Sequence, residues 1–499
     1  MVFKIVFYFN GGGKQRIRPS RTQKASGTER THSSLSLKFG CPAAPGVDGG
    51  ARARTGRAPY RRRKIDVATA QSEAKNRPES GAWTLRSAYT LAFLTIIYGF
   101  NTADRNIFGL LMPLIQADMN MSDTMLGLMS GLVFALFYTF AGLPVAWLAD
   151  RWSRRNIIAI GFTIWSIATI CTGLVQNAIQ MALSRFLLGA GEAAGIAPSN
   201  SMVSDLFDKT RRTLALSVLQ TANALGILFS FPIIGWIAHH HGWRMAFIAA
   251  GAPGILLALI FFFTVKEPER GATDKEKPPE TAPADFISTM KRLLSTRSYV
   301  LVVLSSMLVG VSLAGVQTWI PTFLARIHEL NPQDIGAYIG FIRGPAGILG
   351  AISGGFLTTK LAQRDERWLV WTPALFMILL LMSDLGMLYA VSGVGWKVGM
   401  ALETFFGSAQ VGPMFALCLM TSDARTRAVA TALLLLVVHL LGLTTGPLIV
   451  GVLNDMLAPS MGAAAIRYSI TVAALFSLGA SIVCLTINKS VKPEAAASR

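Results

Sequence analysis

The stretch YVLVVLSSMLVGVSLAGVQTWIPTFLA, Tyr299–Ala325, runs for 27 residues without a charged side chain. About 20 apolar residues carry an α-helix across the hydrocarbon core of a bilayer. Met245–Val265 and Tyr468–Asn488, 21 residues each, are close to that length and equally rich in apolar side chains. The 499-residue chain as a whole is 52% hydrophobic and only 15% charged, with a mean hydropathy of +0.47. A soluble protein needs about a quarter of its residues charged to cover its surface. A soluble enzyme, a disordered chain and a disulfide scaffold are therefore excluded, and a multi-span, all-α membrane protein remains. Cys41, Cys171, Cys418 and Cys484 lie in separate segments with neither disulfide nor metal-ligand spacing. No phosphate-binding loop appears either. No enzyme activity, cofactor or metal is expected.

The net charge of +19 is concentrated at one end, because residues 1–64 hold 15 Lys/Arg against Glu29 and Asp48. Residues 1–83 form a basic extension too polar to offset its chain entropy by burial. A transit peptide, a patch for anionic lipid or nucleic acid, and a dispensable extension are the three readings. The dispensable extension is preferred, and no nucleic-acid partner is expected.

Beyond Arg86, apolar segments alternate with short polar loops. Helices are expected over 87–115, 124–149, 156–176, 178–207, 213–238, 243–266, 299–325, 335–360, 369–391, 394–420, 427–455 and 465–487. The alternate loops after even-numbered helices carry 18 Lys/Arg, and the other set carries 4. Basic loops stay on the cytoplasmic side, so both termini are expected inside the inner or plasma membrane. The plan is a six-helix bundle over 84–266, a cytoplasmic linker over 267–298, a second bundle over 299–488 and a tail over 489–499. Within the linker, Phe286, Ile287, Met290, Leu293 and Leu294 share one helical face, which suits an interfacial helix.

Seven permanently ionisable residues fall inside the expected spans: Asp104, Arg105, Arg185, Glu192, Arg343, Asp384 and Glu403, with His439 as an eighth titratable group. Unpaired, the seven would cost roughly 18–25 kcal/mol at about 2.5–3.5 each on the insertion scale. They must pair or face a wet cavity. Asn101, Asp104 and Arg105 share a face at spacing i, i+3, i+4, and Arg185 points the same way as Glu192 two turns on. Asp104 and Glu192 can thus meet, where substrate-dependent protonation would give proton coupling. A static Arg185–Glu192 pair is the alternative. Arg343 is read as cavity-facing. Glu403 is open between cavity and structure, and His439 between proton relay and core histidine. Asp384 receives no role.

Two halves should show internal duplication. Ala146-Trp-Leu-Ala-Asp150-Arg151-Trp-Ser-Arg154-Arg155, ending the second helix, is echoed by Gly355-Phe-Leu-Thr-Thr359-Lys360 ending the eighth. The first of these resembles the cytoplasmic signature of the major facilitator superfamily, with Ala146 and Ser153 in place of glycines and Thr359 in place of the second-half acid. The resemblance implies a conformational latch tethering the halves through Asp150, Arg151 and Arg155. It also implies a central cavity lined by helices one, four, seven and ten and flanked by eight and eleven. Asn101…Asp104-Arg105, Arg185…Gly189-Ala-Gly191-Glu192, Lys266-Glu-Pro-Glu-Arg270 and His439-Leu-Leu-Gly442…Asn454-Asp455 together look like the Spinster branch. Its animal members are proton-linked carriers of lysolipids and sphingolipid-like molecules. Leu443 stands where those have an aspartate.

The resulting expectation is a monomeric, proton-coupled secondary transporter, working by alternating access, for a small amphiphilic, anionic or lipid-like substrate. The substrate cavity would contain Asn101, Arg105, Arg185, Arg343, Glu403 and His439. A broad-specificity drug/proton antiporter, and a non-transporting receptor or scaffold, are the other readings.

Overall fold

The computed structural model describes residues 83–149, 151–270, 286–422 and 426–487. Most of the basic extension, residues 271–285 of the linker, the tail and Asp150 lie outside the described residues.

Among those described, twelve helical segments follow one another. They are α1 (Leu85–Met119), α2 (Asp123–Ala149), α3 (Arg154–Thr172), α4 (Ala178–Glu192, then Ile196–Leu206) and α5 (Lys209–Gln220, then from Ala222 to a break at Gly242). Next are α6 (243–264), α7 (Arg297–Ile327), α8 (Pro332–Ala362), α9 (Trp368–Tyr389) and α10 (Gly393–Ala409, then Val411–Met420). Finally come α11 (from Arg427 to Met461) and α12 (Ala465–Ile487). A short linker helix, Phe286–Ser295, precedes α7 and buries Leu293 against Tyr299 and Val302. Among the described residues, seven stretches satisfy length and hydropathy for a membrane span unaided. Two of those seven are pairs, α5–α6 and α11–α12, each turning on a glycine with positive φ: Gly242 at 81° and Gly462 at 58°. Glycine adopts that backbone without the steric cost a Cβ would bring. The same device at equivalent places in the two halves is what duplication leaves behind.

The short connections put a capping residue directly before the helix. Thr84, Ser122, Ser153, Asn177, Asn331 and Ser392 each accept a backbone N–H of the first turn. In lipid an orphan N–H is expensive, so each cap sets where its helix enters. The periodic apolar pattern does not reveal three single π-turns, Met129–Val133 in α2, Ile339–Arg343 in α8 and Val438–Gly442 in α11. Those in α2 and α8 again occupy equivalent positions, and such bulges concentrate at functional sites.

The core is divided unevenly. One buried cluster around Leu94, Phe162, Trp165 and Phe261 belongs wholly to α1–α6, and another around Val302, Met377, Leu417 and Leu434 to the linker helix and the second six helices. A third joins the halves, packing Ile107, Phe108 and Leu111 of α1 and Phe231 of α5 with Trp319 of α7, Ile339 of α8 and Val450 of α11. These joining residues lie toward the helix ends facing away from the basic loops. There the backbones themselves touch. A Cβ added at Gly127 would stand 2.5 Å from the Pro447 carbonyl oxygen, one at Gly336 2.3 Å from that of Phe231, and one at Gly109 3.0 Å from that of Thr318. Polar contacts lock the same face. Arg326 of α7 holds both Asp123 oxygens at 2.6 Å, and Asp455 of α11 accepts the Asp123 and Thr124 N–H groups at 3.0 and 2.8 Å. The halves are sealed on the face opposite the basic loops.

Candidate functional site

Two charged clusters sit below that seal, one in each half. In the first, Glu192 is completely buried near the end of the first segment of α4. Its Oε2 accepts from Arg105 Nη2 at 2.9 Å and Nε at 3.1 Å, while Oε1 has no hydrogen-bond partner among the described residues. Arg105 also donates to Asn101 Oδ1 at 3.3 Å, one helical turn back, as the i, i+4 spacing requires. Asp104 is buried one residue before Arg105 on α1, with Oδ1 unpartnered, within electrostatic reach of Glu192 and Arg185. Arg185 is buried with its guanidinium 4.4 Å over the Phe108 ring and its Nε unpartnered. Two acids and two arginines thus neutralise one another. Glu192 takes Arg105 as its ion-pair partner, so the static Arg185–Glu192 pair does not form.

Arg105 is the member that reaches toward the other half. Its side chain keeps 23% exposure. Its guanidinium stands 5.0 Å from the rings of both Phe134 and Tyr138, and Tyr138 stacks on His439 of α11 at 6.3 Å and 19°. His439 lies in the α11 π-turn, and its Nδ1 stands 2.8 Å from the Leu435 carbonyl oxygen. A carbonyl can only accept, so Nδ1 carries the hydrogen in this arrangement. The ring is half-buried where the halves meet.

The second cluster lies among α7–α10. Arg343, in the α8 π-turn, donates from Nε to Thr404 Oγ1 at 2.9 Å and places Nη2 3.5 Å from Glu403 Oε2. Glu403, completely buried, also accepts from Thr404 at 2.7 Å and from Gln317 of α7 at 3.2 Å. Arg343 is buried against α10, so it reaches Glu403 rather than open space. Gly350 and Gly354 form the face on which α8 packs against α10, since added Cβ atoms would stand 2.2 Å from the carbonyl oxygens of Phe405 and Ala409 respectively.

The loop between α2 and α3 holds a third network. Arg151 folds back on its own helix, over the Trp147 ring and onto the Trp147 carbonyl, and Arg155 lies over Phe262 and donates to Asn156. Arg154, which sequence reasoning does not single out, is the buried one. It binds Asp205, Ser201, the Pro268 carbonyl and, at 2.9 Å, Glu267. Glu267 also accepts the Arg154 and Arg155 backbone N–H groups and the Ser153 hydroxyl, capping α3. The partners named here lie in the first half and at the start of the linker, so the network fastens that start to the α2–α3 loop. Burial alone would raise the Glu267 carboxyl, but the Arg155 N–H, the Arg154 guanidinium and the Ser153 hydroxyl together hold it below the usual glutamate range. A lowered carboxyl contributes stability above its unfolded value, lost as pH falls through the folded one. Glu267→Gln should cost about 2 kcal/mol near neutrality, as for hydrogen bonds to a charged group. In thermal melts of the purified protein, the gap from wild type should begin to narrow below about pH 4, where an ordinary glutamate is protonated, and should vanish only once the pH falls below the lowered folded value.

Paired clusters in two duplicated six-helix halves agree with the family match, in which residues 94–447 fit the Major Facilitator Superfamily. The chain belongs to that superfamily. It is 28% identical over 398 residues to an MFS-type efflux pump of Mycolicibacterium smegmatis, covering 79% of this chain and 91% of the relative. It is 27% identical over 384 residues to the sphingosine-1-phosphate transporter SPNS2 of Danio rerio, covering 72% and 74%. The structure aligns with a bacterial homologue of the human lysosomal transporter Spinster, crystallised inward-facing and unoccupied. The TM-score is 0.71 at 24% identity, over 83% of this chain and 100% of that one. The chain is a multi-pass membrane transporter similar to Spinster proteins, and not an enzyme.

Proposed function

We propose that this transporter couples protons to the movement of an anionic or amphiphilic organic molecule, by alternating access of residues 84–266 and 299–488 about the 267–298 linker. The basic loops are cytoplasmic, as their arginines favour. The seal on the opposite face then makes this the inward-facing state. The observation that carries the reading is Glu192, a fully buried acid hydrogen-bonded to Arg105, the cation that also reaches toward the second half. An anionic head group competes with Glu192 for Arg105, whose planar fork holds carboxylate or phosphate through two hydrogen bonds. Once displaced, Glu192 is a buried carboxylate without a partner, which a proton neutralises more cheaply than the protein can solvate. Asp104, already unpartnered at Oδ1, is the second acid able to take that proton. Substrate and proton therefore favour each other's binding.

Sphingosine-1-phosphate, named for the fish relative, combines an anionic head with an apolar chain, which agrees with this site. The test is purified protein in proteoliposomes with a pH-sensitive dye inside, given an alkyl phosphate or an alkyl trimethylammonium of equal chain length. The alkyl phosphate should move protons with it. Proton movement driven by the cation alone would replace the anion reading with a cationic drug antiporter, and none with a broad panel of amphiphiles would favour a receptor or scaffold.

A further inference from the structure

We propose that Asp384 of α9 is a proton-binding site in the second half, holding the proton that Glu403 does not. The first cluster balances two acids with two arginines, whereas the second sets Asp384 and Glu403 against Arg343 alone.

Helix register places the two acids side by side. α9 and α10 pack antiparallel, with a Cβ on Gly399 falling 2.6 Å from Met387 and one on Gly407 falling 3.8 Å from Leu380. In an antiparallel pair each step along one helix is matched by a step back along the other, so residue 384 comes level with 403. Asp384 accordingly interacts electrostatically with Glu403 and Arg343.

The hydrogen bonds say which acid is charged. Glu403 accepts from Thr404 and Gln317 and has Arg343 at 3.5 Å. That is the environment of a carboxylate. Asp384 is completely buried, and neither of its oxygens has a hydrogen-bond partner among the described residues. A buried carboxylate without a single donor is far costlier than a neutral carboxylic acid.

The other charged or titratable residues on the elements packed against α9 do not relieve it. From α10, Lys397 is held by Tyr338 and Trp396, and Cys418 lies roughly four helical turns beyond Glu403, near the α9 start. From α8, Asp334 bonds Asn331, Tyr338 takes Lys397, and Lys360 lies over Phe356. From α12, Arg467 interacts with His328, Tyr468 is exposed, and Cys484 donates to the Val370 carbonyl. Among the described residues, Glu403 and Arg343 are the charged groups acting on Asp384.

The site stands on these three side chains and holds whether or not Asp104 and Glu192 couple transport. Infrared difference spectra of the purified protein test it without any transport assay. Asp384→Asn should remove one protonated-carboxyl stretch present near neutrality, and that band should survive in Asp104→Asn and Glu192→Gln. An unchanged band pattern in Asp384→Asn would overturn the proposal, and so would loss of the band on adding Na+ at fixed pH, because the ligand would then be a metal ion. Stability gives a second readout. A neutral acid without hydrogen bonds is replaceable, so Asp384→Asn and the similarly shaped Asp384→Leu should melt within a few degrees of wild type, while Glu403→Gln melts clearly lower. A strong loss of stability in Asp384→Leu equal to that of Glu403→Gln would show that Asp384 is a paired carboxylate, and would sink the assignment.

Discussion

Glu192→Gln should abolish pH-gradient-driven substrate accumulation in proteoliposomes while strengthening equilibrium binding of an anionic amphiphile. The two effects have one cause. In the wild type, the anion must take Arg105 from a carboxylate bound through two hydrogen bonds, at 2.9 and 3.1 Å. Hydrogen bonds to a charged group contribute about 1.5–3 kcal/mol. Glutamine keeps the shape and one acceptor but not the charge, so removing the competitor should tighten binding about tenfold or more, since about 1.4 kcal/mol is a factor of ten. The sign of the pH effect follows. Lowering the pH protonates Glu192 and frees Arg105, so wild-type affinity for the anion should rise as pH falls, and the Gln variant should be flat. Asp104→Asn should also lose coupled accumulation, because it removes the second acid able to take the proton. If both variants accumulate substrate like wild type, these acids are structural, and coupling passes to the Asp384–Glu403 pair or His439.

The spans are legible because bilayer thickness fixes the length of an apolar run, and that constraint acts on sequence alone. Local interruptions are not legible in the same way. The turn at 193–195 that splits α4, the break at Gln410 in α10 and the three π-turns depend on what the neighbouring helix presses against, which periodicity does not record. Spacing puts Asn101 and Arg105 on one face, and the Arg105–Asn101 bond bears this out. It does not decide which arginine holds Glu192, because that depends on how α1 and α4 are rotated about their axes. The same limit hides Asp384, whose neighbour Glu403 becomes visible only once α9 and α10 are set in register. Among Arg151, Arg154 and Arg155, the loop sequence offers three equivalent cations. Only the Ser153 cap and the approach of Glu267 single out Arg154, and in sequence the Glu267 motif stands out by resemblance, without naming a partner.

The seal between the halves should give way to single carbon atoms. Gly127 of α2 and Gly336 of α8 sit at two separate contacts, α2 on α11 and α8 on α5, where an added Cβ would lie 2.5 and 2.3 Å from a backbone oxygen. A carbonyl in a helix cannot rotate away as a side chain can, so each helix pair must separate. Overpacking of this kind costs about 1–3 kcal/mol. Because the contacts share no residue, the two costs should add, and the strain exists only while this face is closed. The opposite-open state has the helices apart and avoids it. Gly127→Ala/Gly336→Ala should therefore shift the resting equilibrium by about 2–6 kcal/mol, and about 5.5 kcal/mol turns a 1:99 population into 99:1. The probe is a cysteine replacing Val450, which is completely buried in the joining core. An impermeant maleimide should label it rapidly in the double variant and slowly in the parent, and substrate turnover should fall at least tenfold. Gly355→Ala, where a Cβ meets nothing within 4 Å, is the control and should change neither. Unchanged labelling and turnover in the double variant would mean that the close backbone contacts are incidental and that the Arg326–Asp123 and Asp455 contacts hold the face shut without them.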